Sequence, residues 1–171
     1  GKAEASLKYY NKALQIKPDF PDAYNNMGII LYEQGKLDQA IANYQKAILI
    51  EPDFADAYFN LGNAFKQKGD LIKAVQNYQK SLLIQSDDAE VLLNYGHALS
   101  GDGQFEKAIE AYQRALQLQP ELVDAQISLA KALTRQIHGG NSAGESLDGA
   151  GPEINVAEYH NSMGVELANK G

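Results

Sequence analysis

Asp22-Ala-Tyr-Asn-Asn-Met-Gly28 returns thirty-four residues later as Asp56-Ala-Tyr-Phe-Asn-Leu-Gly62, and after the same step again as Glu90-Val-Leu-Leu-Asn-Tyr-Gly96. Two further passes carry the pattern through Asp124 to Ala130 and Glu158 to Gly164. Each pass sets apolar or small residues at i, i+3, i+4 and i+7. The sets are Tyr24, Met27, Gly28, Leu31; Tyr58, Leu61, Gly62, Phe65; Leu92, Tyr95, Gly96, Leu99; and Gln126, Leu129, Ala130, Leu133, in which Gln126 is the exception. That spacing is one stripe of an amphipathic helix. A second stripe follows each of the first three: Ala40, Tyr44, Ala47; Ala74, Tyr78, Ser81; Ala108, Tyr112, Ala115. Its small residues let two helices come close, and the Tyr ring fills the space between units. Pro52 and Pro120 stop the second helix, because Pro has no N–H to donate and clashes with the turn before it. Ser86 stands where a third Pro is expected, so the stop there is weaker.

Two helices per thirty-four residues, with these positions recurring, resemble the tetratricopeptide repeat. The likeness spans residues 1 to about 137. It implies an all-α fold, a right-handed superhelical solenoid of antiparallel helix pairs. One departure is the family's leading Trp, replaced by Tyr24, Tyr58, Leu92 and Gln126. The expected organisation is a lone second helix at 1–18 and three complete repeats at 19–52, 53–86 and 87–120. A further first helix at 121–137, a Gly-rich flexible insertion at 138–155 and a terminal helix of first-helix type at 156–171 complete it.

The ends match interior positions. Gly1-Lys2 corresponds to Gly35-Lys36, and Gly171 falls four periods beyond Gly35. The expectation is a piece of a longer array, with apolar surface open at both ends and head-to-tail self-association through the terminal helices.

With 15 basic and 22 acidic residues the net charge is −7. Phosphate backbones call for clusters of Lys and Arg, so nucleic acid is not an expected partner. Cys is absent, which removes disulfides and thiolate metal sites. No apolar run approaches a membrane span. The chain reads as soluble and not membrane-bound, with the cytoplasm the default location, and no cofactor motif is present.

Chemistry-bearing motifs are few. Gly140-Asn-Ser142-Ala-Gly144 fits the nucleophile string of serine hydrolases, with His138-Gly-Gly upstream. The mechanism requires a strand before the Ser and a separate oxyanion loop, and neither is coded here. His97, His138 and His160 have no second His at i+4, so no helical metal site results. The chain is therefore expected to be non-enzymatic.

At about 100° per residue, a second face of each first helix lies opposite the core stripe. In a stacked array these faces line the concave wall. One row is Asn26, Asn60, Asn94, then Ser128 and Ser162; an acidic row is Asp22, Asp56, Glu90, Asp124 and Glu158; a mixed row is Ile29, Asn63, His97, Lys131 and Val165. An Asn amide both donates and accepts, so it pairs with one peptide unit whatever the side chains are. A ladder of them would hold an extended peptide segment of a partner protein. The plainer alternative is that duplication copied an Asn that merely faces water. The runs around Asn26 and Asn60 look like the superhelical arm of O-GlcNAc transferases. That resemblance implies backbone-holding roles for Asn26, Asn60 and Asn94 and, by analogy, contacts from Asp22 and Asp56. It also implies an alternative function, the substrate-recruiting arm of a larger glycosyltransferase. The chaperone-clamping subset of the repeat family instead needs cations where this chain has Asn25, Glu90 and Asn94, so that function is rejected.

Overall fold

A computed structural model describes the backbone of residues 1–141 and the side chains of residues 1–137. Among them are eight helices and no strand: α1 (Lys2–Ile16), α2 (Pro21–Glu33), α3 (Leu37–Ile50), α4 (Ala55–Gln67), α5 (Leu71–Ile84), α6 (Ala89–Gly101), α7 (Phe105–Leu118) and α8 (Val123–Asn141). The fold is an all-α solenoid of stacked helix pairs.

The first helices α2, α4 and α6 end in the same way. Gly35, Gly69 and Gly103 have φ of 72°, 81° and 81°, the left-handed region that an L side chain rarely adopts. At the first of these turns the Lys36 N–H bonds Leu31 O and the Gly35 N–H bonds Tyr32 O, both at 2.9 Å. Those two bonds satisfy carbonyls that the helix leaves open and turn the chain into the next helix. One period after Gly103 stands Ile137, and α8 does not turn there. It runs on through Asn141, four residues past the boundary expected from the Gly-rich composition. The rest of that insertion, Ser142 included, and the terminal helix expected at 156–171 lie outside the described residues.

The second helices end on an extended residue: Lys17, Glu51, Gln85 and Gln119 have φ of −129°, −127°, −130° and −136°. Pro follows three of them and enforces that conformation. Ser86 follows Gln85, yet α5 stops at the same place as α3. The next helix compensates. The Asp88 carboxylate accepts hydrogen bonds from the Glu90 and Val91 N–H groups at 2.9 and 3.0 Å, capping α6 with a side chain.

Packing within a pair centres on a ring set against a Gly. A Cβ placed on Gly28 would lie 2.4 Å from Tyr44 Cε1, and Gly62 and Gly96 meet Tyr78 and Tyr112 in the same way. The three rings are fully buried. Tyr44 also shares its cluster with Leu61 and Ala64 of the following unit, so the ring serves both contacts. In the fourth unit Ala130 takes the Gly place, and one period beyond Tyr112 the sequence has Ser146 rather than Tyr. At the Trp position Tyr24 and Tyr58 are covered by Lys46 and Lys80, each ammonium 5.3 Å from the ring centre. Gln126 does not join the packing row as an apolar residue; its Nε2 donates to Pro120 O at 2.7 Å and ties down the preceding loop.

Successive helices pack on one another from α1 to α8. In addition α2 touches α4, α4 touches α6 and α6 touches α8, while the second helices make no comparable contact among themselves. The first helices therefore form the inner wall of the array.

Candidate functional site

The inner wall presents four first helices, α2, α4, α6 and α8, each offering the face opposite its core stripe. The acidic row of Asp22, Asp56, Glu90 and Asp124 is exposed. Asn26, Asn60, Asn94 and Ser128 are half-buried, as are Ile29, Asn63 and His97, whereas Lys131 is exposed. The fifth members of these rows, Glu158, Ser162 and Val165, lie outside the described residues.

The amides are partly engaged with neighbours. Asn60 Nδ2 on α4 donates to Asn25 Oδ1 on α2 at 3.1 Å. Asn25 is 6% exposed and belongs to none of the three rows; the structure adds it to the wall as an inter-helix partner. Asn94 Nδ2 donates back to Glu90 O at 3.0 Å, and its Oδ1 accepts from Lys66 Nζ at 2.5 Å. Asn26 makes no side-chain hydrogen bond among the described residues. One N–H remains on each of Asn60 and Asn94, with both lone pairs of the Asn60 oxygen and one of the Asn94 oxygen, enough to meet a further peptide unit.

The third row sits over the buried Tyr hydroxyls. Tyr78 OH donates to Asn63 Oδ1 at 2.7 Å. His97 meets Tyr112 edge-on with ring centres 5.6 Å apart, and its Nε2 lies 2.9 Å from Ser128 Oγ on α8. Burial pushes the Tyr112 hydroxyl up to about 12, against the opposing effect of the Ser128 and Ser100 hydroxyls beside it. Burial raises Tyr44 and Tyr78 further. All three are neutral donors at neutral pH.

Lys66 is a wall residue that none of the three rows includes. It lies three residues after Asn63, one turn along the same face, in a row with Tyr32, Ser100 and Thr134. That spacing was visible in the sequence, but the mixture of residue types hid it. Burial lowers the Lys66 pKa. Burial also lowers that of His97, helped by the like charges of Lys66 and Lys131 and opposed by Asp124.

No group of three or more His, Cys, Asp or Glu among the described residues could hold a metal ion. The residues before Ser142 are helical, so the strand that a nucleophile string requires does not precede it. No helix among the described residues is long and apolar enough to cross a membrane. On the outer side α5, α6 and α7 enclose an open hollow of about 360 Å³ lined in part by Tyr95, Lys107, Glu110 and Arg114.

A TPR repeat model matches residues 1–35 and 28–69, and two Tetratricopeptide repeat models match 53–121 and 93–151. The chain belongs to the tetratricopeptide repeat proteins. No curated protein sequence matches it significantly. Among solved structures, MamA 41-end from Desulfovibrio magneticus RS-1 is similar at 25% identity and a TM-score of 0.75, over 84% of this chain and 81% of that one. YrrB, described as a TPR protein with an unusual peptide-binding site, is 24% identical with a TM-score of 0.71, over 74% of this chain and 66% of its own. The first TPR of Spaghetti (RPAP3), bound to the HSP90 peptide SRMEEVD, is 21% identical with a TM-score of 0.67, over 68% and 93%. These likenesses establish a shared repeat fold. Nothing among them links the tetratricopeptide repeat array specifically to O-GlcNAc transferases.

Proposed function

We propose that the chain is a protein-interaction scaffold whose inner wall holds extended peptide segments. The residues are Asn26, Asn60 and Asn94 as a ladder, Ser128 as its fourth rung, Asp22, Asp56 and Glu90 along one border, and Ile29, Asn63, His97 and Lys131 along the other. The observation that carries this reading is the wall itself. Consecutive first helices touch one another, and each sets a half-exposed amide or hydroxyl with unused hydrogen-bonding capacity along it. An extended backbone offers an N–H and a C=O at every residue, the complement of a carboxamide. Peptide binding by YrrB and by the Spaghetti repeat domain supports the same use of a shared architecture. Each rung contributes little, so useful affinity needs several repeats engaged at once.

The test is capture of extended peptides by the chain and by its Asn26→Ala and Asn26→Ala/Asn94→Ala variants, with helicity followed by circular dichroism. Binding falls about fivefold or more per amide removed, in the range of one hydrogen bond. Unchanged affinity in the fully helical double variant would falsify the ladder.

A further reading is self-association. On α1, Ser6, Tyr10 and Ala13 are only half-buried where Ala40, Tyr44 and Ala47 are fully buried, and Tyr9 and Ile16 are 71% and 87% exposed. A second copy covering that stripe would bury apolar surface of the kind α3 buries within the chain. Light scattering should then show mass rising with concentration and Tyr10→Ser should abolish the rise; a strict monomer at all concentrations rules it out.

A further inference from the structure

We propose that Lys66, His97 and Lys131 form an anion subsite on the inner wall that seats the carboxylate of one acidic side chain in the bound segment. This inference rests on the wall being a peptide groove. The three residues come from three successive first helices, α4, α6 and α8, and the fold brings them to one stretch of surface. Lys66 reaches across to Asn94 on α6, and His97 on α6 reaches across to Ser128 on α8.

The charge at this place is uncompensated. An ammonium carries three N–H donors, and Lys66 spends one on the neutral Asn94 oxygen. Among the described residues neither Lys66 nor Lys131 forms an ion pair; the ion pairs found are Gly1–Glu4, Lys68–Asp38 and Lys73–Asp70. A half-buried cation with two free donors and no acid partner is costly until a negative group arrives. Asp124 is the carboxylate that acts on His97 from the neighbouring helix. With His97 neutral at pH 7, Lys66, Lys131 and Asp124 leave one net positive charge, which matches a carboxylate monoanion.

The subsite is local. In the first repeat the places of Lys66 and His97 are held by the uncharged Tyr32 and Ile29. The chain as a whole is acidic, at −7. Toward the first turns of these helices a carboxylate meets Asp22, Asp56 or Glu90, so among the described residues charge favours the stretch around Lys66, His97 and Lys131. The consequence is register. Carboxamides grip any backbone at any offset, whereas a single anion seat sets which residue lies between α4 and α8.

Two acetylated and amidated decapeptides of Ala and Ser, one with a central Glu and one with Gln there, distinguish the possibilities. Each is titrated by NMR into isotope-labelled full chain at low salt. The Glu peptide is expected to bind about tenfold tighter than the Gln peptide, the scale of a charge-assisted hydrogen bond. The preference should shrink to about twofold or less in Lys66→Gln, and fall partly in Lys131→Gln, an exposed position whose change leaves packing intact. The His97 titration should move to higher pH with the Glu peptide bound, because a nearby carboxylate favours the imidazolium. Equal binding of both peptides overturns the subsite and leaves the groove standing; binding of neither overturns both. A full preference surviving in both Lys variants also overturns it.

Discussion

The Asn60 side chain donates to Asn25, which is buried on α2, so removing it does two things at once. It takes away a rung of the proposed ladder, and it strands the Asn25 oxygen without a partner. An orphaned buried acceptor costs about 1–3 kcal/mol. Asn60→Ala should therefore lower stability by about that amount in urea unfolding. Asn26→Ala, whose amide has no partner among the described residues, should stay within about 0.5 kcal/mol of the parent. Equal destabilisation by the two would mean that the Asn25–Asn60 bond carries no weight. The row of Asn residues was plain in the sequence. What each amide is bonded to was not, because Asn25 and Asn60 lie in different repeats and meet only after stacking.

Within a helix pair the decisive contact is Gly62 under Tyr78, with space for a hydrogen and none for a methyl group. Gly62→Ala would place its Cβ 2.7 Å from the ring. Ala is the better helix former by about 1 kcal/mol, which works the other way. Because Tyr78 is held on all sides and cannot swing aside, the strain of overpacking, about 1–3 kcal/mol, should win. Thermal unfolding then occurs at lower temperature in Gly62→Ala; a rise in melting temperature contradicts the packing account. The same elements show how local signals compete. Gly35, Gly69 and Gly103 stop their helices through left-handed backbone, and Ile137 in that place lets α8 continue to Asn141. The missing Gly was legible at position 137. The abundance of Gly just beyond it outweighed that single-position signal.

Among the described helices each unit packs on its neighbours, so stability is close to a sum of unit and interface contributions. Among the described residues α1 packs chiefly on α2 and contains no buried residue, while α6 and α7 contain seven and five. Amide hydrogen exchange should follow that gradient, with α1 protected at least about tenfold less than α7. Uniform protection along the chain would contradict nearest-neighbour behaviour. From the sequence came the thirty-four-residue step, two helices in each, the Gly–Tyr spacing that joins them and the faces left over for a ligand, because all of these depend on period and local backbone preference. The distance between side chains on successive first helices depends instead on how each unit rotates against the next, summed over the packing of whole faces. Only the tertiary structure could therefore bond Asn60 to Asn25, bring Lys66 to Asn94 and set His97 against Ser128.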